Sequence, residues 1–174
     1  MSQLIFKFPF KATYFENDFY VSSNNFNAYK LIESCPNWPD KWINIFGPKG
    51  CGKTHLVNIL KKKIDSFYRK ASDINNSDLI KIEKYQCIII DNYENNINDN
   101  LLYSLLNHSK QLNKYIVINS LKPLHLFSTN LKDLKSRLNS FFKVSIDYPT
   151  DDLLRVIISK SFSDKQINLN NKNL

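Results

Sequence analysis

The stretch Gly47–Thr54 reads GPKGCGKT, which satisfies the phosphate-loop pattern G-x-x-x-x-G-K-[ST] at every fixed position. The residues directly before it, Trp42–Phe46, have the pattern of a buried strand. Apolar residues then recur at helical spacing after the loop: Leu56, Val57, Leu60 and Ile64. Strand, glycine-rich turn and helix therefore follow in the order that a phosphate-binding loop requires.

Each fixed residue of the motif has its own chemical reason. Gly47, Gly50 and Gly52 permit backbone conformations in which successive N–H groups face phosphate oxygens. Lys53 places an ammonium at the outer phosphates, next to the positive end of the helix dipole, and the Thr54 hydroxyl is a natural Mg²⁺ ligand. The motif predicts a nucleotide site; the alternative is a glycine-rich turn that only joins strand to helix.

Composition limits the class of protein. The 174 residues, 43% of them hydrophobic, suit one globular domain with a substantial core. The formal net charge of +8 permits contact with nucleic acid or another polyanion, but scattered lysines on a solvated surface would explain it equally well.

The three cysteines argue against zinc and disulfides. Cys35, Cys51 and Cys87 form no C-x-x-C pair, and their odd number indicates a reducing interior. Cys51 lies within the phosphate loop, where it is either a thiol of lowered pKa or a small side chain at a variable position. The first residues lack the pattern of a signal peptide, and no apolar run approaches membrane-spanning length, so we expect a cytoplasmic protein.

The second strong signal is Cys87–Asp91, a hydrophobic strand with a carboxylate at its carboxyl end. In phosphate-loop proteins such an acid holds Mg²⁺ together with the loop hydroxyl, here Thr54; the alternative role for Asp91 is a turn or helix cap. Many ATPases place a second acid next, as general base, where this chain has Asn92. An amide cannot take a proton at neutral pH, so the sequence predicts nucleotide binding without rapid hydrolysis unless Glu94 substitutes.

The rest of the chain alternates helices and strands. A short helix is predicted from Phe26 to the residues before Cys35, and a weak strand and short helix within residues 65–84. Leucines at helical spacing predict core positions of a further helix: Leu101, Leu102, Leu105, Leu106 and Leu112. Tyr115–Ile118 and Phe142–Ile146 read as strands, with helices at Leu131–Leu138 and after Thr150. This order predicts an α/β fold whose parallel sheet is sandwiched by helices, with nucleotide at the carboxyl ends of the strands.

The sequence alone leaves two alternative roles for Asn119 and for the amino-terminal residues. Asn119, at the end of a central strand, would lie beside Asp91 and could sense a γ-phosphate, or it forms a turn. The amino-terminal residues Gln3–Phe10 alternate apolar and polar side chains. They form either an arm that packs on the chain's own core or a short peptide that docks into another protein.

Taken together, these motifs resemble the DnaA-related AAA+ family, and within it the Hda-type regulators. The resemblance covers the chain from about residue 3 to its end. It rests on Phe19–Asn25 with Ala28 and Tyr29 ahead of the loop, Gly47–Leu56 as the Walker A box, Asp91–Asn92 as the Hda form of the Walker B box, Asn119 at the sensor I position, and Asp133–Leu138 as the box that carries an arginine finger.

The resemblance implies a role for individual residues. The nucleotide would be bound by Val21, Gly47, Pro48, Lys49, Gly50, Cys51, Gly52, Lys53, Thr54 and His55, and Mg²⁺ by Thr54 and Asp91. Arg137 would be an arginine finger that acts in trans; without the surrounding box it reads as a surface cation of a helix. Gln3, Leu4 and Phe6 look like the peptide with which Hda proteins bind the DNA polymerase sliding clamp.

The implied function is negative regulation of replication initiation. Bound to ATP or ADP and loaded on the clamp, the chain would stimulate ATP hydrolysis by a DnaA-type initiator and be at most a weak ATPase itself. Its contact with DNA would be indirect, and self-association into a homo-oligomer is left open. The alternative is an ATPase of the DnaA or helicase-loader type that acts on DNA or a replication protein.

The resemblance also divides the chain. It implies a clamp-binding arm at residues 1–12, an AAA+ nucleotide-binding domain at 13–162, and a polar tail or the start of a truncated lid at 163–174. Family members continue into a helical lid with a sensor II arginine, whereas this sequence stops at Leu174, about where the lid should begin. We therefore expect an AAA+ core with the lid largely absent, either in a fragment or in a version that binds nucleotide without that contact.

Overall fold

The computed structural model describes residues 19–164. The predicted clamp-binding residues Gln3, Leu4 and Phe6 lie outside the described residues. So do residues 165–174 of the predicted tail or truncated lid at 163–174, whose first two residues end the last helix. Within the described range, no helix combines the length and the apolar character needed to cross a membrane.

A five-stranded sheet forms the centre of the domain, and every strand pairing in it is parallel. The strands are β1 (Trp42–Phe46), β2 (Ser66–Lys70), β3 (Cys87–Tyr93), β4 (Tyr115–Ser120) and β5 (Phe142–Ser145), in the spatial order β2-β3-β4-β1-β5. The main helices are α1 (Phe26–Glu33), α2 (Lys53–Lys63), α3 (Asp78–Lys81), α4 (Asp99–Gln111), α5 (Lys132–Asn139) and α6 (Asp151–Asp164). The predicted α/β fold is confirmed, including the weak strand and short helix within residues 65–84.

Helices cover both faces of the sheet, which explains why the strands are almost continuously apolar. Neighbouring residues of β3 show the division: Ile88 and Ile90 face the core that includes residues of α4 and α5, whereas Ile89 faces the core that includes residues of α1 and α2. Successive side chains of a strand point to opposite faces, so each face of β3 needs its own apolar layer.

The topology gathers the ends of three strands at one edge of the sheet. β1 lies between β4 and β5, and Phe46 at its end pairs with Ser120 at the end of β4. The next residue, Gly47, donates its N–H to the Ser120 carbonyl at 3.2 Å. The carboxyl ends of β1, β3 and β4 therefore meet where the phosphate loop begins, as expected for a ligand site of an open parallel sheet.

Two leucine-rich helices differ from the sequence prediction. Leu102, Leu105 and Leu106 of α4 are buried, but Leu112 is 40% exposed because the helix ends one residue earlier. The core position predicted for Leu112 is therefore wrong. In α6, Leu153 is buried, whereas Leu154, Ile157 and Ile158 are exposed. Fewer apolar side chains of this helix are therefore buried than its sequence suggests.

Candidate nucleotide-binding site

The phosphate loop has a backbone that only glycine suits at its key points. Gly50 (φ 85°) and Gly52 (φ 101°) lie in the left-handed region, and Gly52 directly precedes α2. Gly47 is needed for a different reason: a Cβ atom at this position would clash with the Ile146 carbonyl oxygen, which would lie 2.1 Å from it. The loop therefore leads directly into α2. The first backbone N–H groups of this helix have no hydrogen-bond partner within the helix.

Lys53 is held across the loop. Its side chain is 7% exposed, and its Nζ donates hydrogen bonds to the carbonyl oxygens of Gly47 (2.7 Å) and Pro48 (2.8 Å). The same Nζ lies 3.7 Å from Sγ of Cys51, which is also buried. The ammonium is thus fixed within the turn of the loop, where it can bind an anion.

Asp91, near the carboxyl end of β3, accepts four hydrogen bonds. Oδ2 of Asp91 accepts from the hydroxyls of Thr54 (2.9 Å) and Tyr68 (3.1 Å). Oδ1 accepts from the side-chain amide of Asn119 (2.9 Å) and from the backbone N–H of Asn92 (3.1 Å). The structure therefore brings three residues predicted for the site, Thr54, Asp91 and Asn119, into direct contact and adds Tyr68, which the sequence did not indicate.

Asn119 is fully buried, and its other amide atom, Oδ1, has no hydrogen-bond partner within residues 19–164. A buried polar atom without a partner is costly and is common where a ligand or water completes a site. The predicted position of Asn119 beside Asp91 is confirmed.

A cavity of about 580 Å³ opens above these residues. The loop contributes six of the predicted residues to its lining: Lys49, Gly50, Cys51, Gly52, Lys53 and Thr54, with His55 beside them. Val21, Gly47, Pro48, Asp91 and Asn119 do not line it. Gly47 and Pro48 instead accept hydrogen bonds from Lys53, and Asp91 accepts them from Thr54 and Asn119. Asn25 also lines it and belongs to the Phe19–Asn25 segment on which the resemblance rests. The lining residues missed by the sequence prediction lie at or after strand ends or on α6: Lys70, Ser72, Asn96, Leu121, Pro149, Leu153 and Ile157.

Aromatic residues form one wall of the cavity. Phe19 stacks on Tyr29, with centroids 5.7 Å apart and planes at 10°, and meets His55 edge to face at 5.2 Å. Asn25 ties this segment to α1, because its amide donates to the Tyr20 carbonyl and its Oδ1 accepts from the backbone N–H of Ser22. An apolar, aromatic wall next to a cationic loop suits a ligand with a planar ring and phosphates.

Asn92 and Glu94 both line the cavity on the side of β3. Asn92 has φ 56°, a left-handed conformation that asparagine tolerates better than most residues. Among the lining residues in the part of the chain that the structure describes, Glu94 is the only carboxylate. Glu94 is therefore the nearest candidate for a base that Asn92 cannot supply.

Arg137 lies away from this cavity. It projects from α5, and its Nε donates a 3.0 Å hydrogen bond to Oδ1 of Asn107 on α4. It lines a separate depression near Trp42, at the start of β1. The nucleotide cavity lies at the opposite end of the strands, so Arg137 cannot complete the phosphate site of its own chain.

No family model and no curated protein matches the sequence. Solved structures do match. Domain III of DnaA from Thermotoga maritima superposes with a TM-score of 0.72 at 18% identity, covering 95% of this chain and 80% of that one. The chain has the fold of DnaA domain III.

Two other solved structures are similar. AMPPCP-bound DnaA from Aquifex aeolicus gives a TM-score of 0.70 at 20% identity; the match covers 93% of this chain but 58% of that chain. The chain thus spans little more than half of that initiator. DnaI gives a TM-score of 0.55 at 15% identity and covers 75% of this chain and 89% of that one. Identities this low establish a shared fold and not a shared activity.

Proposed function

We propose that the chain is a nucleotide-bound, Hda-like AAA+ regulator that, with the sliding clamp, stimulates ATP hydrolysis by a DnaA-type initiator. One observation carries this proposal: the chain has Arg137 at the end of the sheet opposite its own phosphate loop, while its own site has Asn92 in place of the expected second acid. A cation placed in this way can serve the nucleotide of a partner.

The phosphate loop supports binding of ATP or ADP. The buried ammonium of Lys53, the start of α2 and the aromatic wall around Phe19 match the phosphates and the base of a nucleotide. The AMPPCP-bound DnaA structure, which has the same fold, binds a nucleotide analogue. The cavity therefore offers suitable groups for both the phosphates and the base of a nucleotide.

The Thr54–Asp91 pair fits Mg²⁺. A hydroxyl and a carboxylate are hard oxygen ligands, and Mg²⁺ is usually bound by one or two such groups together with phosphates and water. Residues 19–164 contain no cluster of three or more histidine, cysteine or acidic ligands that could hold a metal by itself. The bound metal would supply charge neutralisation at the outer phosphates, and these two residues would hold it.

Slow hydrolysis by the chain itself follows from residue 92. A water at the γ-phosphate needs a base, and the amide of Asn92 cannot accept its proton. Asn119 and Asp91 remain bonded to each other below the cavity, where Asn119 would sense the state of the nucleotide.

The proposed catalytic contribution is made in trans. Arginine fingers of well-studied GTPases raise the hydrolysis rate about 10³- to 10⁵-fold by stabilising charge on the transferred phosphoryl group. Arg137, on the short helix α5, is our candidate for that group. We further propose that Gln3, Leu4 and Phe6 bind the clamp, so that contact with DNA is made through the clamp.

The test is a hydrolysis assay with DnaA, clamp and DNA. We expect slow turnover by the chain alone and a clamp-dependent acceleration of DnaA that Arg137→Ala abolishes. Nucleotide binding should remain. Lys135→Ala, a change of an exposed cation on the same helix, is the matched control and should retain full stimulation. Fast turnover without clamp, or full stimulation by Arg137→Ala, would contradict the proposal.

A second candidate function is an autonomous ATPase of the DnaA or helicase-loader type. The observation in its favour is that Glu94 lines the nucleotide cavity and could act as the base. In that case, purified protein should hydrolyse ATP without clamp, and Glu94→Gln should remove the activity while leaving ATP affinity unchanged. Retained turnover in this variant would exclude Glu94 as the base.

A further inference from the structure

A second concave surface lies at the amino-terminal edge of the sheet, a depression of about 330 Å³. Four cations line it: Lys41 before β1, Lys110 at the end of α4, Lys114 before β4, and Arg137 on α5. One carboxylate, Asp40, lines it with them. The charged side chains around this depression therefore carry a net charge of three positive units at neutral pH.

None of these four cations forms an ion pair with a carboxylate in the part of the chain that the structure describes. Elsewhere, cations do find such partners: Lys63 pairs with Glu33 at 2.9 Å and Lys81 with Asp78 at 3.0 Å. Asp40 instead accepts a hydrogen bond from the backbone N–H of Trp42. Four like charges gathered around a concavity with one carboxylate among them repel one another and attract anions.

Three of the four cations are held in place by neutral oxygen atoms of the protein. Lys41 Nζ donates to Oδ1 of Asn113 at 2.7 Å, and Lys114 Nζ donates to the carbonyl oxygen of Glu83 at 2.7 Å.

The third, Arg137, donates through Nε to Oδ1 of Asn107 at 3.0 Å. A guanidinium has five N–H donors in a planar fork, so this one bond orients Arg137 and leaves four donors for a phosphate. Neutral partners localise the cations without cancelling their charge.

We propose that Lys41, Lys110, Lys114 and Arg137 form one anion site, and that its ligand is the polyphosphate chain of a nucleotide held by a partner protein. The identity of that ligand rests on the function proposed above for Arg137. A compact depression with a single oriented guanidinium suits a short, highly charged group. The backbone of a nucleic acid would need a longer cationic stripe without an acid such as Asp40.

The site can be tested without initiator, clamp or DNA. Inorganic tripolyphosphate is titrated calorimetrically into the Lys53→Ala protein, in which the phosphate loop is weakened. We expect saturable binding that Lys110→Glu, in the same background, weakens at least about tenfold, because this reversal changes the local charge by two units. Lys110 is exposed, and Lys135→Glu makes the same charge change on an exposed residue of α5 that does not line the depression. It should leave binding unchanged.

A second variant tests the site even if Lys110→Glu does not fold correctly. Lys114→Gln keeps a side chain that can donate to Glu83 but removes the charge, and it should weaken tripolyphosphate binding several-fold with an unchanged thermal midpoint. Absence of saturable binding, or equal weakening by Lys110→Glu and Lys135→Glu, would overturn the site. Binding of a single-stranded oligonucleotide here that tripolyphosphate does not displace would overturn the choice of ligand in favour of nucleic acid.

The two proposals fail separately. A negative titration removes the anion site, while the Arg137→Ala hydrolysis assay still decides the regulatory function. If the titration succeeds but neither Lys110→Glu nor Arg137→Ala changes hydrolysis by DnaA, the anion site stands and the regulatory function does not.

Discussion

The hydroxyl of Thr54 donates a 2.9 Å hydrogen bond to Oδ2 of Asp91, although the two residues are 37 positions apart in the chain. Thr54 is the last residue of the phosphate-loop motif and lies in the first turn of α2, and Asp91 lies near the carboxyl end of β3, so the bond fixes the distance between the loop and the neighbouring strand. Because Asn119 and Asn92 bind the other carboxylate oxygen, Asp91 has a defined orientation. The two oxygen ligands proposed for Mg²⁺ are therefore already side by side.

Replacement of Thr54 tests this pair. Thr54→Val keeps the shape of the side chain but removes the metal-binding oxygen. We expect the affinity for ATP to fall about tenfold in the presence of Mg²⁺ and to change little in EDTA, because Mg²⁺ coordination by this site would be lost. Titration calorimetry under both conditions measures the difference. Thr54→Ser retains the hydroxyl and is the control; an equal loss with and without Mg²⁺ would contradict the metal assignment.

Lys53 should dominate phosphate binding among the lysines of the loop. Its Nζ is buried against the carbonyl oxygens of Gly47 and Pro48, whereas Lys49 is exposed. We expect Lys53→Ala to weaken ATP and ADP binding by more than about tenfold, since a desolvated charge interacts more strongly with an anion than an exposed one. Lys49→Ala removes the same charge from the rim and should cost much less. Similar losses in both variants would refute this role for Lys53.

The phosphate loop and the strand before Asp91 could be predicted because their signals are local. A motif fixes the first, and an apolar run with a terminal acid indicates the second. Once the strands are known to be parallel, the meeting of Asn119 with Asp91 also follows. Tyr68 could not be found in this way, because its contact with Asp91 depends on the side-chain direction and the register between β2 and β3.

The hydrogen bonds of Asn44, inside the core, could not be predicted from the sequence either. It interrupts the apolar pattern of β1, yet it is fully buried. Its amide donates to the Ile118 carbonyl and to the Ser120 hydroxyl, each at 2.9 Å, and its Oδ1 accepts from the backbone N–H of Leu124 at 3.0 Å. The sequence shows only a polar residue in a strand. The structure shows that it joins β1 to the end of β4 and to the turn that follows.

Asn44→Leu should therefore destabilise the fold despite the gain in hydrophobicity. It leaves the buried N–H of Leu124 without its acceptor, and such losses cost about 1–3 kcal/mol each, so we expect a decrease of about 2–4 kcal/mol in the free energy of unfolding. Urea denaturation measures it. Asn139→Leu, an exposed substitution at the end of α5, is the control and should change stability by less than about 0.5 kcal/mol. An unchanged midpoint in Asn44→Leu would show that the network is not needed.

Tyr93 gives a prediction about alkaline pH. Its ring is fully buried against Phe127, and its hydroxyl donates to Oδ1 of Asn95 at 3.0 Å. Burial, with a smaller contribution from the charge of Asp99, raises the pKa of Tyr93 from 10.0 to about 12. Ionised tyrosinate is thus less favourable in the folded chain than in the unfolded one.

The sign of the effect on stability follows from that difference. Below pH 10, Tyr93 is protonated in both states; between pH 10 and 12 the unfolded chain releases this proton first, so stability falls as pH rises. One proton contributes about 1.4 kcal/mol per pH unit. Tyr93→Phe should remove this contribution and make the fall between pH 10 and 11.5 shallower, as measured by urea denaturation. Tyr148→Phe, at a phenol exposed to solvent, is the matched control. An identical pH profile for Tyr93→Phe and the parent protein would contradict the assignment.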